Sequence, residues 1–369
     1  MPAQSSPARY AVRPIGGHDD SMPGARSVAV IGAGAMGAAL ACHLHASGSS
    51  VSLLATERDG DVLAAWRRGE PHPRLLVPFP DVRIYPQERW AEALPGADLI
   101  LVAVTSAGLA RVLADAAPAT APGAVWALAT KGWEPETLRT PSEVAGTVLG
   151  SARVVSVGGP ALAAELAVGA PTGLICAARD RTSRRMVAGL LTNGTTRAIT
   201  TSDVPGIETA AAFKNVVAVA VGVAEGLAGR LGQSAVVSHF GNAQAAVFAA
   251  GLLDMRRLVV ACGGRTATVL GIGGAGDLFL TCQHGRNGRF GRLLGAGVSI
   301  DDALRSIGST VEGASNAAAA LALAERHGID LPSARIVDNA LRQGAADEGA
   351  VERLRDVFME ALSGPRPSS

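Results

Sequence analysis

The chain has 369 residues, a length that suggests two or three domains. Apolar residues make up 48% of it and charged residues 18%, which excludes wholesale disorder and provides for a large core. Lysine and arginine number 33 and aspartate and glutamate 32, so the net charge is +1. This balance argues against a nucleic-acid binder or a polybasic membrane binder, both of which need a basic excess.

The cysteine pattern argues against a disulfide framework or a zinc site, because no two cysteines have a CxxC spacing and the chain is long. We therefore predict no metal site and a reducing, cytoplasmic location. The sequence has no run of 18 apolar residues and no apolar stretch near its amino terminus, so we predict no membrane insertion. The cysteines are Cys42, Cys176, Cys262 and Cys282.

Both ends of the chain have compositions typical of unfolded segments. Residues 1–26 are rich in proline, serine and glycine and are predicted to form a disordered extension, and residues 363–369 a frayed tail. Either Met1 or Met22 is the natural start, since the first strand is predicted only a few residues after Met22.

Short apolar runs alternate with helical stretches through the first 200 residues. Residues 27–31 read as a buried parallel strand, and a glycine-rich turn and a helix at 38–47 follow. This alternation predicts an α/β fold with a Rossmann-type doubly wound parallel sheet up to about residue 203. Further strands are predicted at 51–54, 99–104, 125–129, 154–157 and 172–177.

After Pro205 the strand-like runs disappear, and the second half is predicted to be an all-α domain. A long glycine-rich loop at 271–297 is expected to interrupt it, and loops of that length inside a compact domain are usually functional. We place the two domains at 27–203 and 204–362. Helices are predicted at 207–228, 235–262, 300–307 and 312–327.

A Gly-x-Gly-x-x-Gly pattern lies between the first strand and the first helix, at Gly32, Gly34 and Gly37 around Ala35 and Met36. The first glycine allows a tight turn, the second lets a pyrophosphate approach the backbone, and the third lets helix and strand pack closely. The helix N-terminus then offers N–H groups to the phosphates. The pattern predicts NAD or NADP binding; the alternative is a tight turn without a ligand.

The choice between the two dinucleotides is left open by the end of the second strand. An acidic residue there suits the ribose hydroxyls of NAD, and an arginine suits the extra phosphate of NADP. Both types occur, as Glu57 and Arg58. The alternative is that both side chains are merely solvated.

Two lysines are candidates for chemistry. Lys131 ends a predicted strand, at the sheet edge where ligands of such folds bind. Lys214 lies in an Ala/Val-rich helix, where burial would lower its pKa toward the range of a general acid or base. The alternatives are a surface lysine at 131 and a side chain that reaches solvent at 214.

The glycine-rich stretch carries an acid, a hydroxyl and several cations. Asp277 and Thr281 precede Arg286, Asn287 and Arg289. The two arginines could hold a phosphate by forked charge-assisted hydrogen bonds, and the acid could fix a lysine or accept from a substrate hydroxyl. The alternative is a polar surface loop.

In this order the motifs resemble those of the NAD(P)-dependent glycerol-3-phosphate dehydrogenases, over residues 27–343. The family has an N-terminal Rossmann domain and a C-terminal helical domain. The motifs that carry the resemblance are Ala129-Thr130-Lys131-Gly132, Phe213-Lys214-Asn215, Gly276-Asp277-Leu278 with Leu280-Thr281-Cys282, Arg286-Asn287 with Arg289-Phe290-Gly291, and Val311-Glu312-Gly313.

The resemblance implies hydride transfer between a nicotinamide and C2 of glycerol 3-phosphate or dihydroxyacetone phosphate, which feeds glycerophospholipid synthesis. Lys214 matches the family's proton donor and acceptor, and Lys131 its second active-site lysine. A small phosphorylated substrate and a homodimer are expected. The matched residues are, for the substrate, Lys131, Gly159, Asp277, Thr281, Arg286 and Asn287 and, for the cofactor, Gly32, Gly34, Ala35, Met36, Gly37, Glu57, Lys131, Ala163, Arg286 and Glu312.

The sequence departs from the family pattern at four positions that are polar there. Ala161 and Gly285 replace a hydroxyl residue and a serine, and Ala249-Ala250 stand where the family has Thr-Arg. These changes leave two alternatives: a dehydrogenase for another small phosphorylated or acidic hydroxy compound, and a dinucleotide-binding sensor without turnover. Retention of Lys131, Lys214 and Asp277 argues against the sensor.

Overall fold

The computed structural model describes residues 26–150, 152–231, 241–308 and 311–343, with a few isolated positions after 343. Apart from Arg26, the predicted N-terminal extension lies outside the described residues, and so does the predicted tail at 363–369.

One sheet of eight strands forms the N-terminal part. Its strands are β1 Ser27–Ile31, β2 Ser50–Leu54, β3 Arg83–Tyr85, β4 Leu99–Val102, β5 Val125–Leu128, β6 Arg153–Gly158, β7 Thr172–Ala177 and β8 Thr196–Thr201. Their spatial order is β3-β2-β1-β4-β5-β6-β7-β8. The first six strands have the 3-2-1-4-5-6 order of a Rossmann fold, which confirms the predicted fold class.

The central strand β1 shows why these runs are apolar throughout. It pairs in parallel with β2 and β4, with Val30 opposite Leu53 and Leu101. Val30 packs in the hydrophobic cluster on one face of the sheet and Ile31 in the cluster on the other. Helices cover both faces, so alternating polar residues would be buried without partners.

One strand of the predicted parallel sheet runs in the opposite direction: β7 is antiparallel to β6. The connection between them contains only a five-residue helix, Ala163–Ala167. At about 1.5 Å per residue such a helix spans ~8 Å, whereas a parallel crossover must retrace the ~20 Å of a six-residue strand. The chain therefore turns back beside β6.

Two edge strands, β3 and β8, were not predicted. Strand β3 has only three residues, too few to show a pattern. Strand β8 reads Thr-Arg-Ala-Ile-Thr-Thr, and its buried and exposed residues alternate at the sheet edge. An edge strand with one exposed face lacks the continuous apolar run that marks the inner strands.

Fourteen α-helices are described. Those that alternate with the strands are α1 Ala35–Ala46, α2 Gly60–Arg67, α3 Ser106–Ala116, α4 Pro141–Leu149, α5 Ala163–Ala167 and α6 Arg181–Leu191. Those that follow the sheet are α7 Val204–Leu231, α8 Gly241–Ala261, α9 Thr266–Leu270, α10 Asp277–His284, α11 Arg286–Gly295, α12 Ile300–Ile307, α13 Glu312–His327 and α14 Pro332–Gln343. Of the predicted helix at 235–262, the structure describes Gly241–Ala261, and residues 232–240 lie outside the described residues.

Helix α7 is the core of the helical part. In the described part of the chain, its Val204–Leu227 stretch is the one segment long and apolar enough to cross a membrane, and it is entirely buried within the protein. A helix that is hydrophobic on all sides must be surrounded by other elements. Helices α8, α10, α11, α13 and α14 all pack on α7.

The prediction of a loop at 271–297 is wrong. After a π-helical turn at Ile272–Gly276, this stretch forms α10 and α11. The glycines serve close packing: Gly222 and Gly226 of α7 lie directly against Gly291 and Gly295 of α11. A Cβ on any of these four would collide with the backbone of the opposite helix. Helix contact therefore outweighs the low helix propensity of glycine.

We predict that Gly291→Ala lowers the free energy of unfolding by about 1–3 kcal/mol or more, because the added methyl group overpacks the α7–α11 contact. Denaturant unfolding followed by circular dichroism measures this. The matched control is Gly146→Ala in α4, where a Cβ meets nothing within 4 Å. The control should gain about 0.5–1 kcal/mol. Equal effects of the two changes would contradict the close-packing explanation.

Candidate active site

One buried carboxylate holds both candidate lysines. Lys214 Nζ lies 2.5 Å from Asp277 Oδ1, and Lys131 Nζ lies 3.2 Å from Asp277 Oδ2. The side chains of Asp277 and Lys214 are only 2% and 6% exposed, and that of Lys131 is 21% exposed. The structure thus joins three sequence-predicted residues into one cluster, open to solvent on the Lys131 side.

Three different elements position this cluster. Lys131 follows β5 in a turn that needs Gly132 at φ +101°, Lys214 lies in the middle of α7, and Asp277 is the first residue of α10. The positive end of the α10 dipole favours a carboxylate at that position. The cluster therefore forms only where the carboxyl edge of the sheet meets the helical part.

A second buried acid, Glu208, ties α7 to the sheet one and a half turns before Lys214. Its carboxylate accepts hydrogen bonds from Ser156 Oγ on β6 at 2.6 Å and from Ser142 Oγ and N on α4 at 2.7 and 2.9 Å. These bonds fix the height and rotation of α7 relative to the sheet. Sequence reasoning missed Glu208, because its partners are more than 50 residues away.

The shared carboxylate separates the pKa values of the two lysines. Burial lowers the pKa of Lys214 to about 8; the charge of Asp277 opposes this shift and the charge of Lys131 adds to it. Burial is also the largest single effect on Lys131 and lowers its pKa, but the charge and hydrogen bond of Asp277, together with Lys214 and Glu312, outweigh it, so the net pKa is raised. Lys214 can therefore exchange a proton near neutral pH, while Lys131 remains charged.

Asp277 is held in its ionised form by the same contacts. Burial alone would raise the pKa of its carboxyl group, but the two ammonium groups lower it below its ordinary value. Removing this carboxylate would take away the ion-pair partner that both ammonium groups share.

The sequence contains two lysines in all, Lys131 and Lys214, so the other 31 of its 33 basic residues are arginines. Arginine stays protonated in proteins, whereas the pKa of a buried lysine can be lowered into the physiological range. A chain that uses arginine everywhere else has lysine only at the two positions that share Asp277. The lysine count alone therefore singles out these two positions in the sequence.

An amide network links α7, α11 and α13 beside the lysines. Asn287 Nδ2 donates to Asn215 Oδ1 at 2.9 Å, and Asn287 Oδ1 accepts from Gly313 N at 2.9 Å. Asn215 Nδ2 in turn donates to Glu312 Oε2 at 3.1 Å. The predicted substrate residue Asn287 is thus buried and holds three helices together. Asn215 belongs to the Phe213-Lys214-Asn215 motif, but the sequence pattern predicts no role for it.

Arg286 and Arg289 have different surroundings. Arg286 is exposed at the first position of α11. Its positive charge lowers the pKa of the Glu312 carboxyl group, but burial has the larger effect and the net pKa of Glu312 is raised. Arg289 donates to Ser306 Oγ at 3.2 Å, on the side of α12. Of the two, Arg286 is the one whose charge acts on Glu312, and it lies at a helix N-terminus rather than in the predicted loop.

The remaining substrate candidates are fixed by local contacts. Thr281 is buried, and its hydroxyl donates to the Asp277 carbonyl oxygen at 2.6 Å, one turn earlier in α10. Gly159 has φ +101°, and a Cβ there would approach Gly173 O to 2.9 Å. Both residues therefore shape the backbone around the cluster.

The glycine-rich turn fits a dinucleotide. Gly32 has φ +99°, and a Cβ on Gly37 would collide with the carbonyl oxygen of Gly32, so the turn requires both glycines. Helix α1 begins at Ala35, and the backbone N–H groups of Ala35 and Met36 are among those that a helix start leaves without intrahelical partners.

Two further cofactor candidates lie near this turn. Glu57 follows β2 and is exposed, and its Oε1 lies 3.0 Å from Arg111 Nη1 of α3. Ala163 is the first residue of α5 and packs against the hydrophobic cluster of the sheet. Within the described ranges, no group of three or more His, Cys, Asp or Glu side chains could hold a metal ion.

Family comparisons decide among the alternatives. The sequence model of the N-terminus of NAD-dependent glycerol-3-phosphate dehydrogenase matches residues 27–184, and that of the C-terminus matches residues 203–352. The chain belongs to the NAD-dependent glycerol-3-phosphate dehydrogenase family. The resemblance that the motifs indicated is thereby confirmed.

Individual relatives agree over nearly the whole length. The chain is 36% identical over 334 residues to glycerol-3-phosphate dehydrogenase (NAD(P)+) of Xanthomonas campestris, which covers 89% of this chain and 94% of that one. It is 37% identical over 337 residues to the glycerol-3-phosphate dehydrogenase (NAD(P)+) of Halorhodospira halophila, an alignment that covers 90% of this chain and 97% of the relative. The crystal structure of glycerol-3-phosphate dehydrogenase from Coxiella burnetii superposes with a TM-score of 0.80 at 31% identity, covering 91% and 99%.

The departures from the glycerol-3-phosphate dehydrogenase pattern have structural counterparts. A Cβ at Gly285 would collide with the carbonyl oxygen of Thr281, so the turn between α10 and α11 is too tight for serine without a backbone shift. Ala161 packs against the sheet core, and Ala250 is buried in the core of the helical part, while Ala249 is exposed. Three of the four changes are therefore accommodated by packing.

Proposed function

We propose that this chain catalyses the reversible, NAD(P)-dependent interconversion of dihydroxyacetone phosphate and sn-glycerol 3-phosphate. The observation that carries the proposal is the pair of lysines on one buried carboxylate, Asp277, beside a glycine-rich turn that fits a dinucleotide. The bound nicotinamide supplies or accepts the hydride. The protein has to place the carbonyl carbon, manage one proton and stabilise the charge that develops on oxygen.

Lys214 is proposed as the proton donor in reduction and the proton acceptor in oxidation. Its pKa of about 8 suits both directions, because a general acid or base works best when its pKa is near the working pH. Lys131, which keeps its charge, is proposed to stabilise the developing alkoxide. Asp277 orients both ammonium groups and is proposed to accept from a substrate hydroxyl.

The phosphate of the substrate is proposed to bind Arg286. Its guanidinium is exposed, planar and close enough to the cluster for its charge to act on Glu312. Asn287 is proposed to assist by fixing the start of α11, and Gly159 and Thr281 to shape the wall around the reacting carbons. Binding energy from the phosphate would then hold the carbonyl in place for reaction.

The dinucleotide is proposed to contact the start of α1 and residues of both the sheet part and the helical part. The pyrophosphate would lie on the turn at Gly32, Gly34 and Gly37, and Glu57 would accept from the ribose. The full set proposed for the cofactor is Gly32, Gly34, Ala35, Met36, Gly37, Glu57, Lys131, Ala163, Arg286 and Glu312.

The product fits a supply of glycerol 3-phosphate for glycerophospholipid synthesis. We propose a cytoplasmic location, which the four free thiols of the structure support, since a reducing compartment maintains that state. We also propose a homodimer, since the exposed apolar side chains Leu270 and Phe279 are 72% and 60% accessible and a subunit contact would shield them. Separate hydrophobic cores support division into domains at 27–203 and 204–362.

We predict that Lys214→Ala and Lys214→Arg both lower kcat for dihydroxyacetone phosphate reduction by roughly 10²–10⁴. Alanine removes the acid, and arginine keeps the charge but cannot release its proton at working pH. Steady-state kinetics measure the loss, and fluorescence titration should find the Kd for NADH within about twofold of wild type. A Lys214→Arg variant with near-normal kcat would contradict the proton-transfer role.

We predict that Arg286→Ala lowers kcat/KM for dihydroxyacetone phosphate by roughly 10²–10⁴, because a bidentate arginine makes two charge-assisted bonds to phosphate. Unphosphorylated dihydroxyacetone should lose far less. Arg289→Ala, whose guanidinium bonds Ser306, is the matched control and should stay within about threefold for both ketones. If Arg286→Ala lowered kcat/KM equally for the two ketones, Arg286 would not be the residue that binds the phosphate.

A further inference from the structure

A short segment after α2, residues 72–77, covers the glycine-rich turn; we call it the clasp. Two backbone hydrogen bonds of His72 close this segment into a turn. The His72 N–H donates to Val77 O at 2.9 Å, and the His72 carbonyl oxygen accepts from Leu76 N at 2.8 Å. The His72 side chain is fully buried, although Arg74 and Leu76, which follow it in the same turn, are exposed. The clasp is thus a defined turn anchored by one buried ring.

The His72 ring ties the clasp to the nucleotide turn. Its Nδ1 accepts from the backbone N–H groups of Arg74 and Leu75, both at 3.2 Å, so the proton of the neutral ring is on Nε2. Nε2 therefore donates to the carbonyl oxygen of Ala33 at 2.9 Å. The N–H of Ala33 donates in turn to the buried carboxylate of Asp59 at 3.1 Å. Ala33, between Gly32 and Gly34, is held from both sides.

This arrangement places a guanidinium over the second glycine of the motif. Arg74 Nη1 lies 3.3 Å from the point that a Cβ on Gly34 would occupy. That glycine is the position at which the backbone of such turns approaches a pyrophosphate. Arg74 Nη2 bonds both oxygens of Asp61, at 3.0 and 3.2 Å, and Nη1 lies 3.8 Å from Asp59.

We propose that Arg74 is a further cofactor-binding residue, which binds the pyrophosphate of the dinucleotide from the side opposite to the start of α1. The planar fork suits two phosphate oxygens, and the clasp keeps its backbone in place. Asp61 holds the guanidinium near the site and competes with the pyrophosphate for it. This inference rests on the dinucleotide site of the proposed function and adds a charged contact from outside the glycine motif.

The test is fluorescence titration of the full-length protein with NADH, together with competition by ADP-ribose and by adenosine. Arg74→Ala should raise the Kd of NADH and of ADP-ribose by roughly tenfold, the loss of one charge-assisted contact. Adenosine, which has no phosphate, should bind both proteins equally. Arg67→Ala, an exposed arginine on α2, is the matched control and should bind NADH like wild type.

A second variant tests the competition. Asp61→Asn frees the guanidinium, so it should lower the Kd of NADH several-fold, and in combination with Arg74→Ala it should have no further effect. An unchanged or lower Kd of NADH in a folded Arg74→Ala protein would overturn the proposal, and so would an equal loss of adenosine binding. Failure of the wild-type protein to bind NADH would instead overturn the dinucleotide site itself.

Discussion

The site depends on a single carboxylate, Asp277, shared between two ammonium groups from different parts of the fold. Taking three charges out of water is costly unless each has a partner, and here one negative charge serves two positive ones. With one carboxylate for two ammonium groups, the pKa of the more deeply buried lysine is lowered. Lys131 lies nearer to solvent and keeps its charge, whereas Lys214 loses its proton more easily. The pKa difference that acid–base catalysis needs therefore follows from geometry.

Several otherwise unrelated features serve to keep that geometry. Glu208 fixes α7 against the sheet, which sets the position of Lys214 relative to Lys131. The facing glycines of α7 and α11 bring Arg286 beside the cluster, and Asn287 completes the link to α13. At the glycine-rich turn after β1, Asp59 and His72 hold Ala33. Small residues and buried polar groups thus fix the positions of the site residues.

Local sequence patterns predicted much of this. Buried strands such as β1 and β5 are continuous apolar runs, and α13 is a long periodic segment; both show their type locally. Local patterns did not predict edge strand β8, the antiparallel direction of β7 or the helices α10 and α11. Strand β8 has one exposed face, β7 follows a short connection, and α11 packs on a partner helix lined with glycine. The lysines and Asp277 were found by motif, but Glu208, Asp59 and His72 act through partners distant in sequence, which spacing cannot reveal.

The most direct test is an NMR titration of protein labelled at lysine Nζ and Cε. The sequence has two lysines, so two signals are expected, each assigned by its absence in Lys131→Arg or Lys214→Arg. We expect Lys214 to titrate near pH 8 and Lys131 above its ordinary value, and we expect Asp277→Asn to lower both pKa values. Two lysines that titrate together near 10.4, unaffected by Asp277→Asn in a folded protein, would contradict this expectation.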